Sequence, residues 1–345
     1  PPSEKQRIKK RLLSEESLCV VGTHALLQED VHTHRVALAI VDEQHRFGVE
    51  QRKALQHANE GEVPHLLSMT ATPIPRTLNL TVYGDLDVSV LNELPAGRKP
   101  IQTRIVAPEN RDEAAIHTLE QLHAGRQAYV IAPRIAESDP TSLKLRGAGK
   151  LEVKSATQTF EEMKHLFPGI AVGLVHGQMK SEEKERVMRH FGAGAIQLLV
   201  STAVVEVGVN VPNATVMIIE GAERFGLAQL HQLRGRVGRA EHQSYCYLFP
   251  TTNEAAEGER LQILERTTDG FVIAEKDLEL RGPGEIYGVQ QSGFSDLKVA
   301  SLLDYATIKF AREEAERILT KDPDLRNHDI LRRKVEQKNV QTHFE

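Results

Sequence analysis

The chain has 345 residues, of which 40% are hydrophobic and 26% are charged, and this length predicts two or three domains. Lys and Arg number 43 against 48 Asp and Glu, which gives a formal charge of −5. This balance excludes a uniformly basic surface for nucleic acid, so any such site must be a local basic cluster. No apolar run reaches the roughly 20 residues of a membrane span, and the two cysteines are too few for a disulfide framework. We therefore expect a cytoplasmic protein without membrane contact.

The first 95 residues predict part of an α/β domain. The chain starts Pro1-Pro2-Ser3-Glu4, without Met or a signal segment, so we expect a protein entered in its middle. After a charged helical pattern over 4–16, apolar runs closed by small or polar residues follow at Leu18–Val21, Val36–Val41 and His65–Met69. Runs of this length are typical of parallel strands covered on both faces. Ligands of such sheets bind beyond the carboxyl ends of the strands.

A second α/β domain is predicted over residues 96–250, after the linker-like stretch Pro95–Pro100. Its parallel strands are predicted at Ile101–Val106, Ala128–Ala132, Ala171–Val175, Ile196–Val200, Thr215–Ile219 and Ser244–Phe249. Its helices are predicted at Arg111–His123, Ser155–Leu166, Ser181–His190 and Leu227–Arg234. Residues 251–345 carry helical patterns without strands, so we predict a helical segment with a charged tail.

Two adjacent carboxylates, Asp42 and Glu43, follow the second apolar run and precede Gln44 and His45. Because Mg²⁺ prefers one or two carboxylates together with phosphates, Asp42 is a candidate metal ligand. Glu43 can accept a proton from an attacking water. A solvated loop explains Asp-Glu alone, but the four residues together are typical of the Walker B element of superfamily-two helicases.

Thr70-Ala71-Thr72 follows the third apolar run and precedes a proline. Alone, this pattern is typical of a turn. Beside the Asp42–His45 element, it resembles helicase motif III, whose hydroxyl groups couple the nucleotide site to the nucleic-acid track.

The most specific pattern is Q-L-H-Q-L-R-G-R-V-G-R at 229–239, in which arginines surround glycines. Glycine weakens a helix, while planar guanidinium groups suit phosphate oxygens. The pattern resembles helicase motif VI, Q-x-x-G-R-x-G-R, which starts here at Gln232. Arg236 and Arg239 occupy the positions of arginine fingers, which can contribute several orders of magnitude in rate.

Two further stretches follow predicted strands. His176 lies in a stretch that resembles the helicase motif L-H-G-x-M, although a turn glycine beside a surface histidine would explain it alone. Thr202, Gly208 and Asn210 lie in the 201–212 stretch, which resembles motif V. That motif touches both the nucleotide and the nucleic-acid backbone.

Together these motifs resemble the RecG family of bacterial ATP-dependent DNA helicases. Further stretches similar to that family lie at 22–27, 42–48, 69–78, 83–87 and 223–232. Residues 277–288, followed by Gln290-Gln291-Ser292-Gly293, resemble the translocation motif that RecG shares with the transcription-repair coupling factor. In that family the motif couples ATP hydrolysis to movement on double-stranded DNA.

The resemblance implies a partial first RecA-like lobe, a complete second lobe and a helical translocation segment. It implies ATP and Mg²⁺ as cofactors, with Mg²⁺ on Asp42, water activation by Glu43 beside Gln44 and His45, and stabilisation of the γ-phosphate by Arg236 and Arg239. Nucleotide contacts would also come from Gly208, Asn210 and Gln232. Coupling to DNA would come from Thr70, Thr72, His176, Thr202, Arg281, Gln290 and Gln291. The implied partners are double-stranded and branched DNA, such as forks and Holliday junctions, and we expect a monomer.

Two features depart from the family pattern. No G-x-x-x-x-G-K-[ST] loop occurs in the 345 residues, whereas RecG proteins carry this P-loop and a DNA-gripping wedge domain upstream of the matching region. We therefore expect a fragment that hydrolyses ATP poorly by itself. Asn210 stands where the family usually has Asp, so a negative charge is lost.

Two alternatives stay open at this point. The chain could be a non-catalytic DNA-binding or adaptor protein derived from half of a helicase. It could also be the motor of a transcription-repair coupling factor, which an upstream polymerase-binding module would indicate.

Overall fold

The alternation of apolar runs and helical patterns produces two separate parallel sheets. The structure is a computed structural model that describes residues 2–14, 16–23, 26, 36–43, 64–70, 87–91, 93, 95, 97–132, 148–202, 210–281 and 305–342. The chain divides into two compact units, Pro1–Pro73 and Ile74–Glu345. Residues 71–86 lie outside the described ranges, and the predicted boundary at residue 95 stays a prediction.

The first unit contains helix α1, Pro2–Leu12, and strands β1, Leu38–Val41, and β2, His65–Ser68. The two strands are parallel, and Val41 pairs with Ser68 in their register. The strand predicted at Leu18–Val21 is wrong, because residues 17–23 contain no strand and the Val21 side chain is 93% exposed. An apolar run becomes a strand only where a neighbouring strand supplies its hydrogen bonds and another layer covers it.

One face of β1 is covered and the other is open. Ala39 and Val41 are buried, whereas Leu38 and Ile40 alternate with them and are 57% and 58% exposed. The prediction that this strand is covered on both faces is therefore wrong. Side chains alternate between the faces of a strand, and an apolar residue on the open face looks the same in the sequence as a buried one.

The second unit contains a six-stranded sheet in the order β3-β8-β7-β4-β6-β5. All of its pairings are parallel, as predicted. The strands are β3, Gln102–Ile105; β4, Gln127–Ile131; β5, Val172–Val175; β6, Leu198–Ser201; β7, Ala214–Glu220; and β8, Tyr245–Phe249. Every residue of β4 and β6 is buried, which explains their continuous apolar sequences.

Helices cover both faces of this sheet. One face is covered by α2, Arg111–His123, and α3, Ala148–Leu166, around a core that includes Leu122 and Phe167. The other face is covered by α4, Ser181–Gly192, and α5, Leu227–Arg234, around a core that includes Phe191 and Leu230. Helix α3 begins seven residues before the predicted position at Ser155, because its first turns lie in a Gly-containing stretch that carries no apolar periodicity. Short 3₁₀ turns lie at 108–110 and 222–224.

The described residues after the sheet are helical, as predicted. They form α6, Asn253–Ala256; α7, Glu259–Arg266; α8, Gly270–Arg281; α9, Tyr305–Lys321; and α10, Asp329–Thr342. Leu264 of α7 and Ile273 of α8 join the core beneath α5. The Asp322 carboxylate orders the turn before α10 by accepting the backbone N–H groups of Arg326 at 2.8 Å and Asn327 at 2.7 Å. No helix in the described ranges has the length and apolar character needed to cross a bilayer.

Candidate functional site

The first unit brings Asp42, Glu43 and Thr70 to one edge of its sheet. Asp42 and Glu43 follow β1 directly, and Thr70 lies two residues after β2, which runs parallel to β1. Asp42 Oδ1 accepts the backbone N–H of Glu43 at 2.9 Å. Three of the predicted residues of this unit, Gln44, His45 and Thr72, lie outside the described ranges.

Glu43 has an unusual backbone conformation, with φ of +55°. This left-handed conformation costs about 1–2 kcal/mol in a residue with a side chain and is found most often at functional sites. The strain lies directly beside Asp42, but Leu325 in the turn before α10 has a similar φ of +51°, so the conformation alone does not mark a site.

The carboxylates fit a magnesium–phosphate site better than a metal site built from protein ligands alone. The described residues contain no group of three or more His, Cys, Asp or Glu side chains that could hold a metal ion. Mg²⁺ is usually bound by one or two carboxylates, with waters and substrate phosphates completing its octahedral shell. Asp42 fits that role only as one ligand among several.

His176 and Thr202 form a second group, which we call the carboxyl-edge pair. They follow the adjacent strands β5 and β6, whose last residues Val175 and Ser201 are paired. The backbone N–H of Thr202 donates to the carbonyl of Val175 at 3.3 Å, which links the two strand ends.

Each side chain of the carboxyl-edge pair has a buried polar atom whose hydrogen bond is not satisfied. His176 Nδ1 and Thr202 Oγ1 are buried and have no hydrogen-bond partner in the described part of the structure. An unsatisfied buried polar group costs about 1–3 kcal/mol, so native proteins rarely keep one without a reason. A bound ligand is one such reason, because its polar atoms can supply the missing hydrogen bonds.

The third group lies in residues 235–243, which we call the arginine loop and which follows α5. Gly238 fixes its path with a φ of +72°. A Cβ atom at Gly238 would lie 2.7 Å from Ile101 Cγ1 and 3.8 Å from Ser244 Cβ, so the loop runs beside the amino ends of β3 and β8. The glycine is therefore required both for its conformation and for the close approach.

The last residue of α5, Arg234, points into the protein. It is only 3% exposed, and its Nη1 donates to the carbonyl oxygens of Leu264 at 2.7 Å and Thr267 at 2.9 Å. Its Nη2 lies 3.0 Å from Nδ1 of His231. Of the three arginines in the sequence pattern, this one anchors α5 to the end of α7 and is not available to a ligand.

Burial, followed by the charge of Arg234, lowers the pKa of His231 to about 4. The imidazole is therefore neutral at pH 7, so that Nδ1 can accept the proton that Arg234 donates.

Arg236 and Arg239 lie on the arginine loop and are half-buried. Arg239 donates to the carbonyl oxygen of Gly235 at 3.2 Å and to Oδ1 of Asn210 at 3.5 Å. Burial, followed by the like charge of Arg236, lowers the pKa of Arg239 from its very high usual value, so the group stays cationic. The same two arginines oppose the effect of burial on Tyr129, whose pKa is raised to about 12.

Asn210 supports the arginine loop through a neutral hydrogen bond. Its amide oxygen accepts from Arg239 where an aspartate would form an ion pair. The departure from the family pattern therefore keeps a contact and leaves more positive charge on the loop.

The remaining predicted residues are only partly described. Gln232 is half-buried on α5. Arg281 is the last residue of α8, and only its backbone is described. Gly208, Gln290 and Gln291 lie outside the described residues. The sequence did not indicate Tyr129, which lies within a continuous apolar strand and carries no signal of its own. It also did not indicate that the Arg234 side chain is buried and binds carbonyl oxygens of the protein.

We predict that Gly238→Ala destabilises the chain more than Gly125→Ala. Gly125 has a φ of +80° with nothing within 4 Å of its Cβ position, so alanine there meets only backbone strain, about 1–2 kcal/mol. Alanine at position 238 meets the same strain and also a contact with Ile101, which adds about 1–3 kcal/mol. Urea unfolding followed by circular dichroism measures both losses, and equal losses would contradict the described path of the loop.

We predict that His231 makes the stability fall as the pH falls from 7 to 5. The folded-state pKa of about 4 lies below the ordinary value of 6.5, so only the unfolded chain gains this proton, and the loss is about 2 kcal/mol. His231→Gln retains an acceptor for Arg234 and should flatten the pH dependence by this amount. The exposed His123→Gln is the control for urea unfolding at both pH values, and an unchanged slope in His231→Gln would disprove the effect.

Comparison with known proteins relates this site to one family of helicases. Residues 114–241 match the family described as Helicase conserved C-terminal domain. Residues 267–342 match the one described as ATP-dependent DNA helicase RecG, domain 3, C-terminal.

Proteins named ATP-dependent DNA helicase RecG are similar to nearly the whole chain. The one from Bacillus subtilis is 50% identical over 320 residues, which are 92% of this chain and 45% of that protein. The one from Thermotoga maritima is 49% identical over 319 residues, which are 92% of this chain and 39% of that protein.

A solved structure of RecG bound to a three-way DNA junction has a TM-score of 0.64 and 41% identity. The match covers 90% of this chain and 38% of that one. The chain thus spans less than half the length of these relatives. The chain is thus similar to RecG helicases over nearly its whole length and corresponds to the carboxyl-terminal part of these longer proteins, with RecA-like parallel sheets.

Proposed function

We propose that this chain is the motor portion of an ATP-driven translocase that moves on double-stranded DNA and remodels forks and junctions. The observation that carries the proposal is the carboxyl-edge pair, whose buried His176 Nδ1 and Thr202 Oγ1 have no protein partner in the described residues. Phosphate oxygens of a nucleic-acid backbone accept hydrogen bonds from such groups. The hydroxyl of Thr202 can donate directly, and His176 can donate in the tautomer or charge state that places a proton on Nδ1.

The nucleotide side of the proposal begins with the carboxylates of the first unit. Asp42 would hold Mg²⁺, and Glu43 would take a proton from the attacking water, with Gln44 and His45 beside them. The bound ion would neutralise part of the phosphate charge. Gly208, Asn210 and Gln232 would complete the nucleotide contacts.

Arg236 and Arg239 would stabilise the charge that develops on the γ-phosphate. Arg239 suits this role because its acceptors among the described residues, the carbonyl of Gly235 and the amide of Asn210, are both neutral. Its positive charge is thus available to an anion.

The grip on DNA would be local, because the whole chain carries a formal charge of −5. Thr70, Thr72, His176, Thr202, Arg281, Gln290 and Gln291 would relay the nucleotide state to the DNA. We propose branched DNA as the substrate, action as a monomer and a cytoplasmic location.

A non-catalytic DNA-binding role is the second candidate. The 345 residues contain no G-x-x-x-x-G-K-[ST] loop, so this candidate concerns the given residues by themselves. Both candidates require DNA binding at the carboxyl-edge pair, and they differ in whether these residues serve ATP hydrolysis in the whole protein.

We predict that Thr202→Val weakens DNA binding without destabilising the fold. Valine removes a buried hydroxyl that has no partner, so the stability should stay equal or rise, while one phosphate contact is lost. The matched control is Thr215→Val, since Thr215 Oγ1 is also buried without a partner but belongs to the start of β7. Fluorescence anisotropy with a forked duplex should show about a fivefold weaker affinity for Thr202→Val alone. Equal affinities of the two variants would refute the proposed contact.

We predict that the 345-residue chain hydrolyses ATP slowly even with DNA present. Without a P-loop, no backbone cradle holds the α- and β-phosphates and no lysine reaches the β- and γ-phosphates. Phosphate release in the presence of forked DNA measures this rate, with a full-length RecG as the comparison. Turnover close to that of the full-length enzyme would overturn the prediction.

A further inference from the structure

The stretch that the sequence predicts as a linker is attached to the arginine loop. Gln243 Nε2 donates to the carbonyl oxygen of Pro100 at 2.8 Å. The backbone N–H of Gln102 donates to the carbonyl oxygen of Ser244 at 2.9 Å. Ile101 lies against Gly238, as described above. Residues 100–102 therefore run along the arginine loop and are held there by one side-chain and one main-chain hydrogen bond and by the packing of Ile101.

A tight turn places Arg98 at the start of this stretch. The backbone N–H of Arg98 donates to the carbonyl of Pro95 at 3.2 Å, and Gly97 has a φ of +82°. Arg98 is half-buried. The turn and the attached stretch together fix the position of the Arg98 backbone relative to the arginine loop.

Arg98 lies within electrostatic range of Arg239. After burial and Arg236, the charge of Arg98 is a further cause that lowers the pKa of Arg239. No carboxylate acts on Arg239 among the described residues, and no described acidic group forms an ion pair with Arg98. The carboxylate of Glu241 lies beside this turn, with Oε1 3.5 Å from the position of a Cβ atom at Gly97.

The charges of Arg98 and Arg236 both act on Arg239, and the half-buried position of the groups limits screening by water and salt. A bound anion relieves repulsion between like charges. Guanidinium groups are the side chains best suited to phosphate, because their planar N–H donors match its oxygens.

We propose that Arg98 is a further phosphate-binding residue, which contacts the polyphosphate chain of a nucleoside triphosphate together with Arg236 and Arg239. The inference rests on the proposed function, since it assumes that the arginine loop binds the phosphates of ATP. It assigns a binding role to a residue outside the helicase motifs recognised in the sequence. The segment that begins the second lobe then senses the nucleotide directly.

The test is binding of inorganic tripolyphosphate to the 345-residue chain, measured by calorimetry at constant ionic strength. Arg98→Gln should raise the Kd about five- to tenfold, which corresponds to the loss of one charged contact. Arg98→Lys keeps the charge but not the planar donors and should give an intermediate Kd. The matched control is Arg332→Gln on α10, which removes the same charge at a 44% exposed side chain and should change the Kd less than twofold.

The variants separate failure of this inference from failure of the proposed function. If Arg239→Gln weakens binding and Arg98→Gln behaves like Arg332→Gln, the role of Arg98 is overturned and the phosphate site stands. If Arg239→Gln has no effect, or if the unchanged chain does not bind tripolyphosphate at millimolar concentrations, the phosphate site of the proposed function is overturned as well. Circular dichroism melting of Arg98→Gln and Arg98→Lys verifies that each variant is folded.

Discussion

The buried hydrogen bonds of Arg234 are the interaction on which the placement of the arginine loop depends. Its guanidinium ties the end of α5 to the carbonyl oxygens of Leu264 and Thr267, which close α7 and lead into α8. The arginine loop begins at the next residue, so the position of Arg234 determines where Arg236 and Arg239 lie. A buried charge without these acceptors would cost several kcal/mol, and for that reason the arrangement has one strongly preferred geometry. The neutral imidazole of His231 completes it.

The same residue type thus performs two opposite tasks within six positions. Arg234 has its donors satisfied by protein carbonyls and is nearly inaccessible, whereas Arg239 is half-buried and its hydrogen-bond acceptors among the described residues are neutral oxygens. Glycine separates the two tasks, because the turn at Gly238 carries the chain past Ile101 to the amino ends of β3 and β8. Local positive charge is obtained in this way within a chain whose formal charge is −5.

The sequence predicted the sheet of the second unit well, because strands buried on both faces, such as β4 and β6, leave continuous apolar runs that little else explains. It failed at Leu18–Val21, where the same pattern lacks a strand partner, since pairing depends on residues far away in the chain. Motif spacing singled out Arg239 and Asn210 as site residues. It did not predict that the Arg234 side chain points into the protein, because buried and exposed arginines look alike in a sequence. Tyr129 was missed for a similar reason, as its environment is created only by folding. The roles of the site residues stay predictions.

The open face of β1 has a consequence for how the chain behaves in concentrated solution. Leu38 and Ile40 are exposed on a two-stranded sheet, and strand edges of this kind are templates on which another chain can add. Exposed apolar area favours association, while a net charge of −5 opposes it through mutual repulsion. Salt that screens the repulsion therefore shifts the balance toward self-association.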